Sequence, residues 1–238
     1  MTDSPQFRPW VSPPPAEGER RAVMGYGAQY AVAAELVYDR LRSGTLEWIR
    51  LADPLAGRLD DLQIATPGRL DAYQVKWSEY DGTLTFADLL ERPAKSKGER
   101  GPSLIDQLVD GWMRLRELHS PRFVHVHLVS NDIASPNRTA SIPRPPSLRP
   151  AHLQAFLRHG WPTSAVAANA VPDECQPALE AIRQHCGLCS DDFRSFSRAC
   201  YFDLGFKRHH LSDSSEARQR ARDVDELARF FFQIVGDP

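Results

Sequence analysis

The sequence predicts an α/β fold: a helix, three strands, a second helix and a fourth strand, followed by an all-helical region. Three observations predict it. Residues 26–44, "YGAQYAVAAELVYDRLRSG", repeat apolar residues at helical spacing and stop at Gly44. Residues 59–79, "LDDLQIATPGRLDAYQVKWSE", alternate apolar and polar residues on both sides of a Pro-Gly, the pattern of a hairpin. An amphipathic segment at 103–119 is followed by an alternating, Val-rich strand at 122–132.

Each element follows from its residues. In the first helix Tyr30, Ala34, Val37 and Leu41 share a face, and "TLEWIRLA" at 45–52 reads as the strand after it. Leu104, Leu108, Trp112 and Leu115 form the stripe of the second helix. Residues 134–150 hold five prolines with no period, a linker or surface loop. Beyond it, 151–160, 173–187, 190–202 and 214–236 show helical spacing, and Ser190 and Ser214, each followed by acids, resemble helix starts. The expected organisation is a flexible Pro-rich leader at 1–20, an α/β core at 21–133, the linker at 134–150 and a helical subdomain at 151–238. The apolar "FFFQIV" near the end points to a further domain after it or to a helix packed back onto the body.

Composition narrows the function classes. The chain has 238 residues, 29 Lys and Arg against 31 Asp and Glu, and no apolar run long enough to span a membrane. The first residues lack the apolar core of a signal peptide, which points to the cytoplasm. A net charge of −2 means that any nucleic-acid site is a local patch, with candidates at 95–100, 144–150, 205–210 and 218–223, for each of which, taken singly, a solvated loop or helix face is the favoured reading. Cys175, Cys186, Cys189 and Cys200 include one CxxC; buried thiols are favoured over a zinc site. No phosphate-binding Walker loop, dinucleotide fingerprint or serine elbow is present.

The hairpin carries the chemistry. With the turn at Pro67–Gly68, opposed residues sum to 135, so Asp61 faces Gln74. One side of the ribbon then holds Leu62, Ile64, Tyr73, Val75 and Trp77. The other holds Asp61, Gln63, Gln74, Lys76 and Ser78, and is expected to line a polar cleft. A carboxylate and an amide oxygen about 5 Å apart at Cβ suit a hard divalent cation. An adjacent ammonium suits an attacking water or the charge developing on a phosphate. The register prefers Asp61 over Asp60 as ligand, and a single bulge would exchange them. His125 and His127 share a face of the last core strand, where they either contact DNA or the metal region, or serve as polar edge-strand residues.

Asp61 followed by Gln74-Val75-Lys76 resembles the D…(D/E/Q)xK signature of the PD-(D/E)xK nuclease superfamily, and the element order is similar to its restriction-endonuclease-like core. "GYGAQYAVA" at 25–33 resembles the Gly-x-x-x-Gln helix start of the double-stranded-DNA endonuclease domains of bacterial anti-phage effectors. The resemblance spans about residues 20–135 by motif. It implies a nuclease core in 21–133 with Asp61 and Gln74 holding magnesium, or manganese in its place. Lys76 is the catalytic cation, and Gln29 a cleft residue beside the metal. It also implies duplex DNA as substrate, and a sensor or NTPase domain, such as a SAVED or STAND module, as partner in the same polypeptide or an oligomeric neighbour. Gln74 departs from the carboxylate usual at its position, so metal affinity leans on Asp61 and the DNA phosphate. The competing expectations are an RNA- or branched-DNA-directed nuclease on the same core and a non-catalytic nucleic-acid-binding or oligomerisation module.

Overall fold

The computed structural model describes residues 17–94, 99–137, 152–162, 171–206 and 214–236. The leader before Glu17 and most of the Pro-rich stretch, with the basic candidates at 95–98, 144–150 and 207–210, lie outside the described residues. A mixed five-stranded sheet has the order β1 (Trp48–Leu51), β2 (Leu62–Thr66), β3 (Arg69–Lys76), β5 (Phe123–Ser130), β7 (Cys200–Leu204). The first three strands are antiparallel, and β3, β5 and β7 run parallel. Two short strands, β4 (Thr83–Leu84) and β6 (Ile133–Ala134), form a separate parallel pair.

The β2–β3 register is the one the alternation predicts: Leu62 pairs with Tyr73 and Thr66 with Arg69. Gly68 has φ +72°, and a positive φ in the second central residue, directly after Pro67, matches a type II turn. Helix α1 (Glu17–Arg42) covers one face. Its small and β-branched Val32, Ala33, Ala34 and Val37 pack with Leu62, Ile64, Tyr73, Val75 and Val129. Helix α7 (Ser215–Gly236) lies along α1, where Arg220 pairs with Glu35 and Asp39 and Tyr38 donates to Asp223. Part of the basic stretch 218–223 is thereby spent inside the molecule. Phe231 is buried and Phe232 meets the edge of Tyr30, so the apolar end of α7 partly folds back, while Phe230, Ile234 and Val235 stay exposed.

The other face carries the larger core. Helix α3 (Leu104–Leu118) starts with a capping box between Ser103 and Asp106 and buries Ile105, Leu108, Val109, Trp112 and Leu115. Helices α2 (Phe86–Leu90), α4 (Leu153–His159), α5 (Gln176–Cys186) and α6 (Ser190–Ala199) complete it. Trp161 stands among Phe156, Phe193, Phe196 and Phe202, and its indole donates to the Cys200 carbonyl at 2.9 Å. Gly111 of α3 lies against Leu59: a Cβ there would come within 2.4 Å of the leucine. Gly111→Ala is expected to cost about 1–3 kcal/mol. That lowers the thermal midpoint by several degrees, as differential scanning calorimetry would measure, because the fully buried Leu59 has nowhere to go.

Several expectations are corrected. The region after the linker is not all-helical: residues 190–202 divide into α6 and the start of β7, which joins the sheet through pairs from Val126↔Cys200 to Ser130↔Leu204. The helical spacing of Phe193, Phe196 and Cys200 gives way to the unpaired backbone edge of β5. The polar side of the hairpin is not an open cleft wall, since Ala65, Leu70 and Ala72 share it, pack under α3, and bury Gln63 and Gln74 with them. The strand with His125 and His127 is internal, because β7 lies outside it. Cys189, rather than Ser190, caps α6 through its sulfur and is exposed; Cys175 and Cys200 are buried, and all four cysteines are thiols rather than disulfides. Helix α1 extends back to Glu17, into the expected leader, and Ala134 belongs to β6 rather than to the linker.

Candidate active site

Asp61 immediately precedes β2, at the end of the sheet where β3 finishes in Gln74, Val75 and Lys76. Its carboxylate accepts the Val75 backbone N–H at 2.7 Å, which holds it level with the sheet. Side chains from two layers therefore reach it. Gln29 of α1 donates through Nε2 to Oδ1 at 2.9 Å, and Gln74 donates through Nε2 to Oδ2 at 2.5 Å. Lys76 is exposed on the same side as Gln74, one pleat along, and acts on Asp61 through its charge. Gln29, Asp61 and Gln74 thus meet at one point, and Lys76 acts on it through its charge. The Asp60 carbonyl accepts the Asp53 N–H, closing the loop between β1 and β2, and its carboxylate is near enough to act on Asp61 through its charge.

Burial pushes the Asp61 carboxyl up from the ordinary 3.8 to about 6; the nearby Asp60 charge adds to this, while the Val75 N–H and the Lys76 charge oppose it. The carboxylate is half-buried and takes three donors, from Gln29, Gln74 and Val75. Tyr30, next to Gln29, has its hydroxyl pKa raised by burial, by Tyr26 and by the Asp61 charge, which places it within the field of the site.

The donor set is oxygen-rich and sparse. Among the described residues no three His, Cys, Asp or Glu side chains converge so as to hold a metal ion. One carboxylate and one amide oxygen, the latter brought forward by turning the Gln74 amide over, fit a hard cation that keeps water and takes phosphate oxygens for the rest of its shell.

A second polar cluster was missed by the hairpin analysis. Asp71 sits on the face assigned to packing, fully buried. Arg69 bonds both its oxygens, at 2.8 and 2.9 Å through Nε, and Arg40 approaches from α1. His127 places Nε2 3.2 Å from Asp71 and Nδ1 2.9 Å from Asp203 of β7, and its ring is stacked between Tyr73 and Tyr201 at 4.5 and 4.8 Å. The available signal was Asp71 itself, an acid in mid-strand whose alternation places it beside Tyr73 and Val75. His125 and His127 lie on this opposite face of the sheet and make no contact with Asp61. No known protein family, curated protein or solved structure matches the chain.

Proposed function

We propose that the chain is a metal-dependent endonuclease that hydrolyses phosphodiester bonds of double-stranded DNA, on a restriction-endonuclease-like core, as an effector of bacterial anti-phage defence coupled to a sensor or NTPase domain. The observation that carries the reading is the convergence of Gln29 and Gln74, from separate segments, on the half-buried Asp61 carboxylate, with Lys76 near enough to act on it through its charge. Nothing in the packing calls for a carboxylate there, and burial works against its charge.

Asp61 and Gln74 would hold magnesium, or manganese, which when bound supplies an activated water and neutralises charge on the phosphate. Gln29 fixes one carboxylate oxygen from α1, so that Asp61 keeps its orientation when the other is engaged. Asp61, with its carboxyl at about 6, is ionised at neutral pH and available as a ligand. Lys76, exposed and charged, is placed to orient the attacking water or steady negative charge on the non-bridging oxygens. Binding through phosphates gives little sequence preference and a steep loss of affinity with salt.

The test compares plasmid cleavage by wild type and Lys76→Ala at protein excess with magnesium. Loss of one transition-state donor lowers the rate by about 10²–10³-fold while DNA binding persists. An unimpaired Lys76→Ala removes the catalytic assignment. Duplex DNA, single-stranded DNA, branched DNA and RNA run side by side decide the substrate class. A second reading, a phosphate-binding module that does not cut, is favoured by the single carboxylate at the site. It gains if calorimetry detects no manganese binding that depends on Asp61.

A further inference from the structure

The β3–β5 ladder ends at Lys76 and Ser130, yet the chain beyond Lys76 is held closely. Asn131 follows Ser130 and its side-chain amide continues the ladder in place of a strand: Oδ1 accepts the Ser78 N–H at 3.0 Å and Nδ2 donates to the Ser78 carbonyl at 2.9 Å. The second Nδ2 hydrogen goes to Asp81 at 3.0 Å. Asp132 accepts from the Ser78 hydroxyl and from the Gly82 N–H, both at 2.7 Å. Its backbone carbonyl accepts the Gly205 N–H at 2.8 Å, tying the end of β7 to the same turn. Asn131 is only 6% exposed, and its amide oxygen and both amide hydrogens are committed to the protein.

We propose that Asn131 is a positioning residue that aims Lys76 at the reacting phosphate; the inference rests on the nuclease reading above. Lysine has a flexible four-carbon stem, so where its ammonium goes depends on where its backbone is held. Lys76 lies between two fixed points. Val75 on one side is bonded to Asp61, and Ser78 on the other is gripped at both N–H and C=O by Asn131. Residues 79–81 are exposed, so packing does not require this segment to be held. The Asn131 bonds lock the distance between the Asp61 carboxylate and the lysine that acts beside it. Asn131 touches no reacting group.

The experiment measures plasmid cleavage at varied DNA concentration for wild type, Lys76→Ala, Asn131→Ala, Asn131→Asp and Ser78→Ala, with thermal midpoints and amide exchange at Ser78. Asn131→Ala is expected to lower kcat by about 10–100-fold, the effect of a displacement on the order of 1 Å, with KM little changed and Ser78 exchange accelerated. Asn131→Asp keeps the acceptor, loses both donors and falls in the same direction. Ser78→Ala, which leaves both backbone bonds in place, keeps the wild-type kcat. Wild-type kcat in folded Asn131→Ala overturns the positioning role while the nuclease reading stands, as does a raised KM with kcat unchanged. Failure of both Asn131 variants to fold marks a residue of stability and overturns it too. Wild-type cleavage that does not depend on Lys76 removes the nuclease reading and the inference with it.

Discussion

Asp61→Asn is expected to stabilise the protein while abolishing manganese binding and cleavage. The carboxyl is held at about 6, above its ordinary 3.8, because burial outweighs the Val75 N–H and the Lys76 charge. A displacement of that size corresponds to roughly 3 kcal/mol of preference for the neutral form. A group whose folded pKa is raised favours folding while it is protonated, and that contribution is lost as pH rises through the folded value. The wild type therefore loses stability relative to the variant between about pH 4 and pH 6, and the gap is constant above. Asparagine keeps an acceptor for the Val75 N–H, and its amide pairs with the carbonyl of Gln29 or Gln74 once those amides turn over. Urea unfolding at pH 7 should show a gain of roughly 2–3 kcal/mol, vanishing near pH 4. A variant less stable than wild type at pH 7 would mean that the charge is satisfied by the protein alone. The case for a cation would then be lost. A functional carboxylate kept at a cost to stability is the trade that active sites make.

How far sequence reading reached is set by the range of the interactions. The Asp61–Gln74 pairing was legible because a Pro-Gly turn and a strict alternation fix register locally, and Thr66↔Arg69 closes the ladder as expected. Gln29 was legible as a cleft residue only through resemblance; its helix surface position gains meaning from Asp61, 32 residues away in sequence. β7 was not legible. "CYFDL" continues a helical period, and what makes it a strand is the open edge of β5, more than 70 residues upstream. The burial of Gln63 and Gln74 was hidden for a similar reason: alternation sorts residues between faces, but the weight of α3 on one face is a property of the whole fold. Asp71 was hidden by the same alternation, because the partners that allow a charge to sit beside Tyr73 come from α1, β5 and β7.

Asp71→Asn is expected to be the most damaging of these substitutions, and its cost depends on pH. His127 faces a carboxylate with each ring nitrogen, so both nitrogens carry protons and the ring is an imidazolium. The groups around it are Asp71, Arg69 and Tyr73 of β3, Arg40 of α1, its strand neighbour His125, and Tyr201 and Asp203 of β7. Burial lowers the His127 pKa, yet the bonds to Asp203 and Asp71 outweigh it and the net shift is upward. Asp71 is held below the ordinary carboxylate range, its burial outweighed by His127 and Arg69. The sign follows for each: Asp71 stabilises above about pH 4 and loses this as pH falls, whereas His127 stabilises below about pH 6.5 and loses this as pH rises through its raised folded value. Both act in full between those limits. Removing the shared carboxylate there leaves a buried imidazolium facing Arg69 and costs about 3–5 kcal/mol. As pH rises through the raised His127 value the imidazolium discharges, so the cost falls toward the part owed to Arg69. The His127 ring protons report its titration directly by NMR, and urea denaturation of wild type and Asp71→Asn at one pH below and one above that midpoint measures the difference. Equal losses at the two pH values, or a His127 midpoint below 6.5 in the folded wild type, would show the ring to be neutral and the clasp on β7 to be an ordinary hydrogen bond.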